Sequence, residues 1–375
     1  MRALTDGPLL ALLAALATMP AWAAAQPSDA VEPDPETATV LESVQVTGTQ
    51  PGPALWRVSR GENDPRGHHS LWLIGTVSPL PVYLDWRPEE LDERLAEADA
   101  VLRSPGISVG TGRGRLHALT LAPSAIGLRN NPDRQTLADV LPPQTYARWE
   151  QLKARYLGDN RRVERWRPIF AAEKLHEAAV EANALEFGSP AWARIRAAAE
   201  ARDLPRVDSV LSITIDDPRD ALRDFRRGEM DDLACFEATL DRLESDIGLL
   251  RGRATAWATG DIEVLRQLSG ADPASACIQS VLGSGVLADR GLGDLEARVR
   301  ESWVTAAERA IYDHPVTVGA LPMSELLRED GLLAALAARG YVITAPDDED
   351  EDDGDWSEVA DEGSPAPLGE VSTER

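Results

Sequence analysis

The chain has 375 residues and a formal net charge of −25 at pH 7, which is distributed unevenly. Residues 347–375 hold thirteen acidic residues and one Arg, and residues 26–50 hold five acidic residues and no base. Because residues 1–25 balance, a net charge of −8 remains for residues 51–346, which is ordinary for a globular domain. The composition therefore gives no support for nucleic-acid binding, which favours a basic patch. An acidic tail of this kind is typical of a solvated, disordered segment.

The first 25 residues predict a secretory signal peptide. Arg2 supplies a basic start, residues 9–16 are apolar, and residues 21–25 offer small-x-small cleavage sites. The apolar run is shorter than the roughly 20 residues that a spanning helix needs, and no later stretch approaches that length. We therefore do not expect an integral membrane protein, although a retained N-terminal anchor is an alternative. Lys occurs only at positions 153 and 174 among many Ala and Arg, which indicates a GC-rich bacterial gene. The expected location is the periplasm.

The two cysteines, Cys235 and Cys277, are candidates for a disulfide, because an even pair in an oxidising compartment favours one. Closing a loop of about 40 residues would stabilise the fold by roughly 3–4 kcal/mol. Two buried free thiols are the alternative. A two-cysteine metal site is disfavoured, since no His or further Cys lies nearby in sequence.

Residues 26–50 are polar, acidic and contain Pro, which predicts a flexible linker. Within it, residues 41–49 alternate and favour an extended conformation. They resemble the segment at the mature N-terminus of TonB-dependent outer-membrane receptors. A plain edge strand or tether is the favoured interpretation, and a TonB contact through residues 41–49 is the alternative.

The domain opens with patterns typical of strands. Residues 54–59 alternate apolar and polar, as a half-buried strand does. Residues 70–77 are almost continuously apolar, which predicts a central strand. Residues 88–98 predict a helix that starts with a Pro, and residues 100–102 a short strand.

The middle of the chain, from about residue 115 to 312, is predicted to be largely helical. Helices over 143–157, 168–185 and 190–201 each begin with Pro. Apolar residues spaced by three and four from residue 233 to 250 predict one long amphipathic helix.

Strand patterns return at residues 315–319 and 341–344, and one more strand is expected near 206–211. The helix predicted over 330–339 ends at Gly340, a favourable C-terminal residue. The predicted fold class is α+β, with a mixed central sheet formed by both chain ends and covered by the largely helical middle. The expected segments are a signal peptide (1–25), an acidic linker (26–50), one domain (51–346) and an acidic disordered tail (347–375).

The ends of this domain resemble the TraB/GumN family of metal-dependent hydrolases, to which the animal Tiki proteases are related. At the front the resemblance lies in residues 55–58, 73–76, 79–81 and 98–100, and at the back in residues 330–333 and 339–341. The resemblance implies a mixed sheet flanked by helices and a metal site. Members of the family carry no settled chemistry beyond that.

Three positions depart from the family pattern. The first motif, Gly75-Thr76-Val77-Ser78, has Ser78 where the pattern has His, and Gly319-Ala320-Leu321-Pro322 has Pro322 where it has His again. Ser104 stands where the pattern has Glu. Hydroxyls are poor ligands beside imidazole or carboxylate, and Pro has no donor side chain. We therefore expect no metal and no other cofactor, and a non-catalytic protein that contacts an unknown periplasmic protein or glycan.

The alternative function is a divergent metal-dependent hydrolase acting on peptide or glycan material, with a rebuilt site for a divalent metal. Its candidate ligands are His314, His117 or nearby Asp and Glu. The remaining histidines, His68, His69 and His176, form no spaced pair on one helix face. A serine hydrolase is disfavoured, because Ser78 is not part of a Gly-x-Ser-x-Gly motif.

Overall fold

A computed structural model describes residues 52–60, 69–110, 127–215, 217–227, 232–245, 247–268 and 293–346. These residues all belong to one compact unit. The predicted signal peptide, the linker with residues 41–49, the acidic tail, His68, His117 and Cys277 lie outside the described residues.

The described residues form ten strands and twelve α-helices. The strands are β1 (Leu55–Ser59), β2 (Ser70–Thr76), β3 (Leu80–Pro81), β4 (Ala100–Leu102), β5 (Gly106–Gly110), β6 (Leu185–Glu186), β7 (Arg206–Val207), β8 (Val210–Thr214), β9 (Val316–Pro322) and β10 (Val342–Thr344). The helices are α1 (Glu89–Glu97), α2 (Leu137–Val140), α3 (Pro143–Tyr156), α4 (Pro168–Ala182), α5 (Pro190–Ala201), α6 (Pro218–Arg227), α7 (Leu233–Ser245), α8 (Ile247–Ala258), α9 (Ile262–Leu268), α10 (Leu295–Asp313), α11 (Met323–Leu326) and α12 (Leu332–Ala337).

Both ends of the domain meet in one mixed six-stranded sheet, in the order β10-β1-β2-β9-β4-β7. Strand β2 pairs in parallel with β9, from Ser70 opposite Val316 to Thr76 opposite Pro322. Strand β4 lies parallel to both β9 and β7, whereas β1 runs antiparallel to its neighbours β2 and β10. The predicted α+β class and the sheet built from both chain ends are confirmed.

Helices cover both faces of this sheet. The Thr317 hydroxyl donates to the Ala310 carbonyl of α10 at 3.5 Å, so α10 lies on the face that Thr317 points to. The guanidinium of Arg94 in α1 lies 4.4 Å from the Trp72 ring centroid. Trp72 pairs with Val318, the residue after Thr317, so its side chain points to the opposite face.

The helical middle has a core of its own. Side chains of α2, α3, α4 and α7 bury a second apolar cluster that includes Leu137, Trp149, Leu175 and Phe236. The rings of Trp149 and Phe236 lie 5.6 Å apart. The helices predicted to begin with Pro start where expected, at Pro143, Pro168 and Pro190.

The amphipathic helix predicted over residues 233–250 is helical through α7 and again from the start of α8, and residue 246 between them lies outside the described residues. Phe236, Leu240 and Leu243 join the second cluster, while Leu250 packs with Val180 and Leu185. One expectation about a single element was wrong. The strand near 206–211 is two strands, because β7 joins the main sheet and β8 pairs with β5 in a separate one. No helix in the described part of the chain is both long and apolar enough to cross a membrane.

Candidate functional site

The three positions that depart from the family pattern lie at one edge of the main sheet. Ser78 follows β2 by two residues, Ser104 follows β4 by two residues, and Pro322 is the last residue of β9. Strand β9 lies between β2 and β4, and all three run in parallel. Carboxyl ends of adjacent parallel strands share one edge, where ligands of open α/β sheets bind. The sheet therefore gathers positions that are more than 200 residues apart in sequence.

The Ser104 side chain is engaged by the main chain. Its hydroxyl donates to the Ala320 carbonyl at 2.8 Å, inside the second motif. Its own carbonyl accepts a hydrogen bond from the Ser209 hydroxyl at 3.1 Å, and Ser209 also donates to the Arg103 carbonyl at 2.7 Å. Ser104 thus ties the end of β4 to β9.

Ser78 lies between a main-chain amide and a guanidinium. Its hydroxyl accepts a hydrogen bond from the Gly188 amide at 3.3 Å, which follows β6. Its carbonyl accepts one from Arg253 Nη2 at 2.7 Å, and Arg253 belongs to α8. A cationic side chain from the helical middle is therefore placed directly beside the position where the family pattern has a histidine.

Apolar packing fills the space next to Pro322. Helix α11 begins immediately after it, and Met323 is 3% exposed. A Cβ built on Gly75 would lie only 2.2 Å from Met323 Cε, so a larger residue at this position would displace the flexible end of the Met323 side chain. Thr76 completes the contact between the motifs, because its hydroxyl donates to the Leu321 carbonyl at 3.1 Å.

Helix α8 makes a second contact with the first motif. The Trp257 indole Nε1 donates to the Gly75 carbonyl at 2.7 Å, and this indole is fully buried. Gly319 is equally confined, since a Cβ there would lie 3.2 Å from Leu73 Cδ2 and 3.3 Å from the Leu102 carbonyl. Both motif glycines therefore serve close packing at the sheet edge.

The sequence model of the TraB/PrgY/gumN family matches residues 54–345 of this chain. The chain belongs to the TraB/PrgY/gumN family. No match was found among curated proteins or among solved structures. The matched range covers both motifs and the helical middle, and it includes Ser78, Ser104 and Pro322.

The edge residues of this TraB/PrgY/gumN protein do not fit the metal that the family resemblance implies. A bound divalent ion needs imidazole, thiolate or carboxylate donors. Ser78 and Ser104 offer neutral hydroxyls that already take part in main-chain hydrogen bonds, and Pro322 offers none. Across the described ranges, no group of three or more His, Cys, Asp or Glu side chains is arranged to hold an ion.

Two of the described histidines, His314 and His69, lie at the opposite, amino edge of the sheet. His314 precedes β9, whose seven residues at about 3.3 Å each separate it from Pro322 by roughly 20 Å. His69 precedes β2 at the same amino edge, with Nδ1 2.7 Å from the Ile311 carbonyl. His176 in α4 meets the Phe187 ring edge-on, with the centroids 5.3 Å apart. His314 therefore cannot replace the ligand missing at Pro322.

Reasoning from the sequence missed Arg253. Arg253 and Ser78 are separated by 175 residues, and an arginine in an ordinary helical pattern carries no signal that it will reach a distant turn.

Proposed function

We propose that this TraB/PrgY/gumN protein is an exported, non-catalytic member of its family that acts by binding a periplasmic protein or glycan. The observation that supports this most strongly is the set of groups at the carboxyl edge of β2, β9 and β4. Two hydroxyls engaged with the main chain, one Pro and one guanidinium occupy the edge where the family pattern has two His and one Glu.

The positive charge of Arg253 would repel a cation at this edge, and its guanidinium offers no lone pair that could bind one. Its guanidinium donates to the Ser78 carbonyl at 2.7 Å. A cation held beside Ser78 would be repelled by this positive charge, and its affinity would be lower for that reason.

The test restores the missing donors with and without Arg253. We expect the wild-type protein to purify without stoichiometric Zn, Mn or Co, as measured by elemental analysis. The triple variant Ser78→His/Ser104→Glu/Pro322→His should bind these ions weakly, and adding Arg253→Gln should strengthen binding, as measured by calorimetric titration. Arg251→Gln is the matched control, because Arg251 lies on the same helix and donates to the distant Asn183 carbonyl.

Two results decide against the proposal. Tight stoichiometric metal in the wild-type protein would show that a working ion site exists. Equal metal affinity with Arg253→Gln and Arg251→Gln in the triple variant would remove the electrostatic argument. Circular dichroism and thermal unfolding of each variant establish that the comparison concerns folded protein.

Export is the second part of the proposal, and it is supported by the signal pattern of residues 1–25 and by the cysteines. Cys235 in α7 is completely buried and carries no free thiol. We propose that it pairs with Cys277, the other cysteine of the chain. The N-terminus of protein recovered from a periplasmic fraction should begin near Ala24 or Gln26, and thiol alkylation without reductant should label neither cysteine. A full-length cytoplasmic protein with two reactive thiols contradicts this part.

A further inference from the structure

A cavity of about 250 Å³ lies beside the edge strand β10, separate from the hydrogen bonds around Ser78. Its walls are mainly apolar and come from β1, α9, α11, α12 and β10. They include Trp56, Leu326, Leu333 and Ile343. Leu326 also lies 3.3 Å from the Cβ position of Gly75, so the cavity adjoins the first motif through α11.

The cavity is also the point at which the described chain ends. Ala345 and Pro346 line it, and the next residue is the first of seven consecutive acidic residues, 347–353. The chain then continues through Gly354 and Asp355 to Trp356. Trp356 is the only aromatic residue after Tyr341 in an otherwise strongly acidic segment.

We propose that the Trp356 side chain of the acidic tail occupies the cavity lined by Trp56, Leu333 and Ile343. An apolar cavity of about 150 Å³ is large enough to bind benzene, so 250 Å³ accommodates an indole ring. The ten residues from Pro346 to Trp356 span at most about 33–36 Å when extended. Since Pro346 is itself in the cavity wall, this length is ample for the chain to fold back.

Apolar contact, and not charge, is the basis of this proposal. Arg266 and Arg328 line the cavity, but Glu329 does so too. Arg266 already pairs with Glu263 at 2.9 Å, and Arg328 pairs with Glu325 at 3.0 Å. The opening is therefore of mixed charge, and such exposed ion pairs contribute little. The indole of Trp356 is the largest apolar side chain in the tail sequence and gains most by leaving water.

Because Trp356 is covalently joined to the cavity wall through a short segment, even a weak affinity of the indole for the cavity gives measurable occupancy. A short linker gives an effective local concentration on the order of millimolar. An indole that would bind the cavity with only millimolar affinity as a free molecule would then occupy it for about half of the time. We therefore expect partial occupancy that does not depend on protein concentration.

The experiment uses the full chain labelled with 5-fluorotryptophan, in which Trp356→Phe identifies the fluorine signal of Trp356 in the NMR spectrum. This signal should differ from that of a synthetic peptide of residues 347–375 labelled in the same way. Ala345→Phe fills the cavity and should return the signal to the peptide position. Val342→Phe, three residues earlier in β10, is the matched control, because Val342 is 49% exposed and does not line the cavity; it should leave the signal unchanged.

Three outcomes overturn the proposal. The first is a wild-type Trp356 signal identical to that of the free peptide. The second is a shifted signal that survives cavity filling in a folded protein; Leu327→Phe serves as a second filling variant if Ala345→Phe does not fold. The third is a shift that grows with protein concentration, which would assign the cavity to the tail of a second copy. None of these outcomes depends on whether the sheet edge binds metal, so this inference and the proposed function can fail separately.

Discussion

Trp257 donates its indole hydrogen bond to the main-chain carbonyl of Gly75 at 2.7 Å, across 182 residues of sequence. The Trp257 ring also lies 5.3 Å from the Trp86 ring. One helical side chain therefore satisfies a carbonyl at the end of β2, where the first family motif lies. This bond and the one from Arg253 to Ser78 attach α8 to the edge of the sheet.

Replacing Trp257 by Phe should destabilise the protein more than the same change at Trp303. Both indoles are buried, but Trp303 Nε1 has no hydrogen-bond partner in the described structure. Trp257→Phe leaves the Gly75 carbonyl unsatisfied, which costs about 1–3 kcal/mol beyond the shared loss of ring volume. Urea unfolding of the two variants measures this difference. Equal stabilities would mean that the Trp257 hydrogen bond contributes nothing.

Gly260, between α8 and α9, should tolerate Ala poorly. Its φ is +69°, and a Cβ there would lie 2.6 Å from the Gly52 carbonyl oxygen. The left-handed conformation costs about 1–2 kcal/mol for Ala, and the clash raises the total to roughly 3 kcal/mol. Gly158→Ala is the matched control, with φ +56° and no atom within 4 Å. Thermal unfolding should rank Gly158→Ala as the milder change, and the reverse order would contradict the predicted clash.

Arg167 should be needed for the stability of the helical middle. It is 2% exposed and donates to the carbonyls of Phe225 at 2.9 Å and Arg226 at 3.1 Å, near the end of α6. Burial lowers the pKa of Arg167, and the charge of the buried Asp232 opposes that effect. Arg167→Met removes the donor to both of these carbonyls, and each one left unsatisfied costs about 1–3 kcal/mol.

The control for Arg167 is Arg148→Met. Arg148 is partly exposed and pairs with Asp241 and Glu244 on the surface. Such exposed pairs contribute about 0–1 kcal/mol. The free energies of unfolding of the two variants, measured by chemical denaturation, should therefore differ by several kcal/mol. A similar small loss in both would show that Arg167 is not needed for the stability of the helical middle.

Tyr146 should make stability fall at alkaline pH. Burial, followed by the negative charges of Glu164 and Glu150, raises the pKa of Tyr146 above its ordinary value of 10.0. The unfolded chain thus loses this proton at lower pH than the folded one. The stability contribution is complete below pH 10 and is lost as the pH rises through the raised value.

Glu164→Gln tests the charge component of that shift. Glu164 lies 3.4 Å from the Tyr146 hydroxyl and also accepts from Trp149 Nε1 at 3.2 Å. Removing its charge should move the pKa of Tyr146 back towards 10.0. Absorbance at alkaline pH, corrected with Tyr146→Phe, reports this phenol among five tyrosines. An unchanged titration would assign the shift to burial and Glu150.

Several elements could be predicted because their signals are local. The alternating residues of β1 and the continuous apolar run of β2 depend only on neighbours in sequence, and both formed as expected. Gly340, expected to end the helix before β10, has φ +87°, which favours glycine. The strand predicted near 206–211 is two strands, because the sheet that a strand joins depends on partners that are distant in sequence.

The amino-acid sequence by itself was enough to predict most elements of the main sheet and the family, and it shows that Ser78, Ser104 and Pro322 carry no strong metal donor, since residue types and local spacing need no partner. Only the tertiary structure decided that these positions share one edge, that Arg253 lies beside Ser78, and that His314 lies at the other end of β9. The physical reason is that parallel pairing and long side chains join residues that are far apart in sequence, as Ile74 and Ala320 are. Such contacts produce no periodic pattern in the amino-acid sequence.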